Sequence, residues 1–176
     1  QHSTRRRQRQ MCIRDRYLEL YMKITKIKED ITSEIASSFK NSIAIDTEAT
    51  GLQIPERDKL SLIQICDENK NVFIIQPNKN SFKAPNLVSI LENDKILKIG
   101  HFLRFDKNAL EFFLKCKIKN IFDTKIASKI VRTYTDAHGL KNLIQEFCNK
   151  SIDKRQGSSD WNKDINDLSD KQLEYA

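Results

Sequence analysis

A short apolar run, Ser42-Ile43-Ala44-Ile45, leads directly into Asp46-Thr47-Glu48 and then into Ala49-Thr50-Gly51-Leu52. Apolar, β-branched-rich residues bounded by a turn read as a buried strand. Strand side chains alternate between faces, so Asp46 and Glu48 point the same way. Two carboxylates side by side at a strand end repel each other. A hard divalent cation would relieve that repulsion and use their oxygens as ligands. Taken alone, the pair also fits a plain solvated turn. Two further segments bear on the choice.

The first is Lys98-Ile99-Gly100-His101-Phe102-Leu103-Arg104-Phe105-Asp106. Ile96 to Gly100 reads as a short strand. Arg104 to Leu114 reads as a helix, with Phe105, Ala109 and Phe112/Phe113 near the spacing of one apolar face. Asp106 then lies in the first turn, where a carboxylate also pairs favourably with the helix dipole. The second segment is Leu168-Ser169-Asp170-Lys171-Gln172-Leu173-Glu174-Tyr175-Ala176. Ser169 suits an N-cap, with Gln172 as its capping-box partner.

Together and in this order, the three segments resemble the DEDD family of 3′–5′ exonucleases, most closely ribonuclease D and the tyrosine subtype. Asp46 and Glu48 match the first motif, His101, Phe105 and Asp106 the second, and Leu173-Glu174-Tyr175-Ala176 the start of the third. Asp123-Thr124, the stretch Tyr134 to Leu140, and Ser158-Ser159-Asp160-Trp161 resemble the intervening segments. The likeness covers Ile43 to Ala176. One departure stands out. The family carries a fourth metal-binding Asp four residues after the tyrosine, a position that counted from Tyr175 falls past Ala176. The expectation is an enzymatic domain truncated within its last motif, with the fourth carboxylate past its end and inactivity of the chain as given one outcome.

The other end differs in composition. Arg5, Arg6, Arg7, Arg9, Arg14 and Arg16 are six of the chain's ten Arg, and the rest of the chain is Lys-, Asn- and Ile-rich. Such a shift marks a segment of separate origin. Arg6 to Asp15 resembles a translated transposon-based sequencing adapter. Residues 1–21 are therefore expected to be a non-native leader, with the exonuclease domain at 22–176. A basic arm that grips nucleic acid is the alternative. Without the six Arg and one Asp of residues 1–16, the formal charge falls from +7 to +2. A pI near 9.2 then says little about nucleic-acid binding.

Residues 22–176 suffice for one domain with a real core. No apolar run is long enough to span a membrane. Cys12, Cys66, Cys116 and Cys148 lack zinc-ligand spacing. Cys66 and Cys148 lie in apolar segments and read as reduced core residues. These features favour a cytoplasmic protein.

The layout is mixed α/β. Lys23 to Phe39 reads as a polar lead-in with a short helix. Strands are expected at Ile43–Glu48, Leu60–Cys66, Val72–Gln76, Ile96–Gly100 and Ile118–Phe122. The turn Asp67 to Asn71 is short enough for an antiparallel hairpin. Helices follow at Leu87–Glu92, Thr124–Arg132 and Leu140–Cys148. This suits the fold the resemblance implies, a ribonuclease H-like mixed five-stranded sheet flanked by helices. The polar stretch Ser151 to Asn166 reads as a long loop that Trp161 anchors to the core.

The resemblance also implies the chemistry. Two divalent cations, Mg²⁺ or Mn²⁺, would sit about 3.5–4 Å apart. Asp46 would bridge them, Glu48 and the fourth Asp would complete one site, and Asp106 would hold the other. Tyr175 would orient or help deprotonate the attacking water. Thr50, Gly51 and Leu52 would meet the terminal nucleotide, with Leu52 as wedge or mere turn residue. His101 and Phe102 could stack on a base, although a buried Phe102 is an equal alternative. His138 reads as a loop stabiliser or helix cap. The function implied is a 3′–5′ exoribonuclease that acts on single-stranded 3′ ends, takes RNA before DNA and releases nucleoside 5′-monophosphates. A DNA exonuclease and a non-catalytic nucleic-acid-binding module are the alternatives. No protein partner is evident.

Overall fold

The computed structural model describes residues 23–54, 56–152, 157 and 159–176. The expected leader, residues 1–21, lies outside the described residues.

Strand β3, Leu60–Asp67, runs through the middle of the sheet, and its first six residues are buried. It pairs antiparallel with β2, Ser42–Ala49, on one side and with β4, Asn71–Gln76, on the other. The turn between β3 and β4 closes as expected. Asp67 Oδ1 accepts the N–H groups of Asn69 and Asn71. Strand β5, Leu97–Gly100, lies parallel to β2, and β6, Ile121–Asp123, parallel to β5. The mixed α/β architecture stands, and the sheet has one strand more than five. Lys23–Lys28 forms β1, parallel to β4, giving the order β1-β4-β3-β2-β5-β6. Its three lysines read as a polar lead-in because an edge strand tolerates, and is protected by, exposed charge.

Helix α1, Ser33–Ser38, follows β1, and α2, Pro85–Glu92, precedes β5. Helix α3, Arg104–Leu114, follows β5, while α4, Thr124–Val131, follows β6 and leads to α5, Leu140–Cys148. One core forms where Ile43, Ile45, Ile63 and Ile65 meet Leu87, Leu91 and Leu110. A smaller core covers the opposite face. There Leu62 and Ile74 pack against Trp161, Ile165 and Leu168, with Tyr175 at its margin. Trp161 thus anchors its loop, as its position suggested. Helix α6, Asp170–Tyr175, has the expected capping box between Ser169 and Gln172.

Two expectations need correction. Cys148 ends α5 and is exposed rather than in the core, because the apolar face of α5 is carried by Leu143. Strand β6 starts at Ile121 rather than Ile118, since Ile118 turns into the core. His138 stabilises its loop: its Nδ1 meets Ser128 Oγ at 2.9 Å, and Arg132 donates to Ser128 Oγ and the Ala137 carbonyl.

Candidate active site

Parallel β2, β5 and β6 end at the same edge of the sheet, and connections leaving parallel strands at that edge form the crevice in which α/β proteins place ligands. Strand β5 accompanies β2 only from Ser42 to Ala44. Beyond that point the flank of β2 is open, and the first turn of α3 fills it. The chain leaves β5 through Gly100, where a Cβ would lie 3.0 Å from the Ile45 carbonyl oxygen and would collide with Leu103. This close passage brings Asp106 to β2.

Thr47 shares a strand face with Ile45, and its Oγ1 donates to Asp106 Oδ1 at 2.6 Å. Asp46 and Glu48 point to the other face. Register sets Asp46 opposite Gln64 and Glu48 opposite Leu62, beneath the segment that carries Trp161 and Tyr175. Three of the sequence-predicted carboxylates are therefore brought together, and Tyr175 faces two of them.

Their electrostatics are unfavourable. Burial, then the Asp106 charge, raises the Asp46 carboxyl above its ordinary range. Burial raises Asp106 as well, against the stabilising bond from Thr47. Glu48 is pushed up to about 8 by burial and by the charges of Asp46 and Asp106. Tyr175 is raised by burial and by the charges of Glu48 and Asp46. The ion pairs of the described residues leave all three acids without a Lys or Arg.

Gln64 is the residue that sequence reasoning missed. It is 5% exposed, and neither its Nε2 nor its Oε1 has a hydrogen-bond partner. A buried amide costs free energy unless its groups are satisfied. Directly opposed residues share a sheet face, so this amide lies on the Asp46 face. The signal was present in Leu60-Ser61-Leu62-Ile63-Gln64-Ile65, where one amide interrupts an apolar strand.

Among the described residues, no three His, Cys, Asp or Glu side chains stand close enough to form a ready-made metal cage. The donor chemistry nevertheless fits a hard cation. All three acids offer oxygen, all are destabilised as anions, and an unpartnered amide shares the face of Asp46 and Glu48.

The remaining predicted residues lie around this cluster. Thr50 exchanges hydrogen bonds with Lys59 through its N–H and its Oγ1. Gly51 stands against the Asp58 carboxylate, with no room for a Cβ. Leu52 is 84% exposed. His101 Nδ1 meets Thr124 Oγ1 at 3.0 Å, and that hydroxyl donates to the Gly100 carbonyl. Phe102 is 54% exposed, which removes the buried alternative.

Known proteins resemble this chain in sequence and fold. Ribonuclease D of Haemophilus influenzae is 34% identical over 139 residues, 78% of this chain and 33% of that protein. DNA polymerase I of Aquifex aeolicus is 33% identical over 134 residues, 75% of this chain and 20% of that protein. The chain thus spans between a fifth and a third of the length of these two relatives. Brucella melitensis NrnC, solved with bound Mg²⁺, is 41% identical with a TM-score of 0.78, covering 88% of this chain and 73% of that one. The same protein bound to pGG gives 42% and 0.79, with 88% and 72% covered. A family model described as 3′–5′ exonuclease matches residues 22–176, and the chain belongs to that family, in its ribonuclease D-type branch.

Proposed function

We propose that this chain is a metal-dependent 3′–5′ exoribonuclease that shortens single-stranded RNA from its 3′ end and releases nucleoside 5′-monophosphates. The observation that carries the proposal is the cluster Asp46, Glu48 and Asp106, three acids whose charged forms are disfavoured and which, among the described residues, form no ion pair with a Lys or Arg. These three would hold two Mg²⁺ or Mn²⁺ ions. Bound there, the ions supply Lewis-acid activation of water and neutralise charge on the leaving oxygen.

The chain's own residues do the rest. Asp46, whose carboxyl feels the Asp106 charge, would hold the cations together with Asp106. Thr47 fixes Asp106 through its hydroxyl. Tyr175 has a raised pKa, so its hydroxyl stays protonated at neutral pH and is a hydrogen-bond donor. That favours orienting the attacking water over deprotonating it. Thr50 and Gly51 form a braced turn at the end of β2, and exposed Leu52 is suited to wedge against the terminal base. His101 would contact the substrate from the end of β5.

The Mg²⁺-bound form of NrnC supports this cation, and its pGG complex supports a short nucleotide as ligand. A ribose preference is part of the proposal, and a requirement for the 2′-OH in paired RNA and DNA assays checks it. A cytoplasmic location accompanies it, in line with free Cys66, Cys116 and Cys148. No helix among the described residues is long and apolar enough to cross a membrane.

The deciding experiment compares linear and circular forms of one RNA with Mn²⁺ present. An exonuclease degrades the linear form stepwise to monophosphates and spares the circle. Equal cutting of both overturns the proposal.

A further inference from the structure

Phe102 has a backbone that a phenylalanine rarely adopts. Its φ is 63°, in the left-handed region, where a side chain strains against the main chain. Such a conformation persists only when its surroundings impose it, and here one residue does. Asp123 Oδ1 accepts the Phe102 N–H at 3.0 Å and Oδ2 accepts the Leu103 N–H at 2.9 Å. The same carboxylate takes the Lys125 and Ile126 N–H groups at the start of α4. Thr124 completes the clamp by donating to the Gly100 carbonyl and meeting His101.

The clamp has a visible result. An apolar ring that could have turned inward is instead held 54% exposed. The Lys125 ammonium lies 3.8 Å from its centroid. This pair stands at the C-terminal ends of parallel β5 and β6, the edge at which β2 presents Asp46 and Glu48, and Phe102 is four residues before Asp106. An exposed aromatic face accepts a nucleobase of any identity, and an adjoining ammonium accepts a phosphate.

The geometry points to Phe102 and Lys125 as a nucleotide subsite outside the carboxylate cluster, with Asp123 as the positioning residue that holds it open. The subsite takes one nucleotide of a single-stranded nucleic acid, the base on Phe102 and its phosphate on Lys125. This rests on the proposed exonuclease reading for its substrate class, but it concerns binding rather than hydrolysis.

The test is fluorescence anisotropy of the 176-residue chain with a 5′-fluorescein-labelled RNA heptamer, Ca²⁺ replacing Mg²⁺, across a salt series. Phe102→Gly removes the ring and relaxes the left-handed backbone, so loss of fold does not account for its effect. It is expected to weaken binding about tenfold. Lys125→Met is expected to weaken binding and to reduce the slope of log affinity against log salt by about 0.7, as loss of one phosphate contact on a single strand requires. Asp123→Asn should weaken binding as Phe102→Gly does, and combining the two should cost no more than either alone.

Wild-type affinity and salt slope in both Phe102→Gly and Lys125→Met overturn the subsite, as does absence of RNA binding by the wild type. A wild type that hydrolyses linear RNA while these variants bind normally keeps the exonuclease and removes the subsite. A wild type that hydrolyses no RNA but shows the expected binding losses does the reverse.

Discussion

Asp46 and Asp123 are both acids on strands of one sheet, Asp46 in the C-terminal half of β2 and Asp123 at the end of β6, yet their surroundings are opposite. Burial pushes Asp123 up, but four backbone N–H groups outweigh it and hold the carboxyl below its ordinary value. Burial and the Asp106 charge push Asp46 up, and a backbone bond from Thr47 does not offset them. Asp123 is spent on structure. Asp46 carries a charge that the described residues do not satisfy, and a carboxylate in that condition is a functional-site candidate.

The strongest way to break this contrast is Asp46→Asn. Hydrolysis should fall on the order of 10³-fold, the scale of losing a principal charge-stabilising group. The thermal midpoint should stay level or rise, because repulsion with Asp106 is removed. Surviving activity, or a clear drop in midpoint, would show that Asp46 is structural like Asp123. Next in size is Tyr175→Phe, which removes a hydroxyl but keeps the ring on Trp161, 6.0 Å away between centroids. A kcat lower by about 10²-fold is expected. An unchanged kcat would reduce Tyr175 to a packing residue.

The pH dependence sharpens the same contrast. The carboxyls of Asp46, Glu48 and Asp106 are raised in the folded chain, so between their unfolded values and about 8 the folded state holds more protons than the unfolded. Stability contributed by these protons is present at low pH and is lost as pH rises through that window. Thermal melts without divalent cation should therefore lose midpoint towards pH 8. Mn²⁺ binds the deprotonated acids, so its stabilising effect should grow over the same range. A cation effect independent of pH would detach the cluster from metal binding.

Much of this was legible in the sequence. Asp46, Glu48 and Asp106 could be placed because strand alternation and a helix start are local properties, and Ser169 with Gln172 gave a cap that the structure contains. β1 was not legible: Lys23, Lys26 and Lys28 carry no inward pattern until β4 supplies a partner. Gln64 was hidden for a different reason. An amide within an apolar strand marks an unusual position, but only register sets it opposite Asp46 and gives it a role. The Asp123 clamp joins residues 20 and more apart in sequence, and spacing alone does not show which backbone N–H groups a carboxylate will accept.

Asp30 extends the structural side of the comparison. Its carboxylate accepts the N–H groups of Ile31, Asn86 and Leu87, and so satisfies the start of α2, where Ala84 offers no side-chain cap. Asp30→Ala leaves those donors without a partner and should cost about 1–3 kcal/mol in denaturant unfolding. Hydrolysis by the protein that remains folded should be unaffected. A large loss of kcat would place Asp30 on the functional side and blur the distinction.

The smallest expected effect tests whether the site's geometry extends to its outer wall. A Cβ on Gly157 would stand 2.7 Å from Tyr175 Oη and 3.4 Å from Cζ. The first contact is too close and the second is tolerable, so Gly157→Ala presses on the hydroxyl far more than on the ring. Trp161 lies against that ring and limits its retreat. If the Tyr175 hydroxyl orients water, a sub-ångström displacement should lower kcat a few-fold with little change in KM. In a Tyr175→Phe background the same substitution has no hydroxyl to displace, and its effect should vanish. A Gly157→Ala penalty that persists in that background would come from elsewhere in the 151–166 segment, and Tyr175 would then owe its position to packing rather than to chemistry.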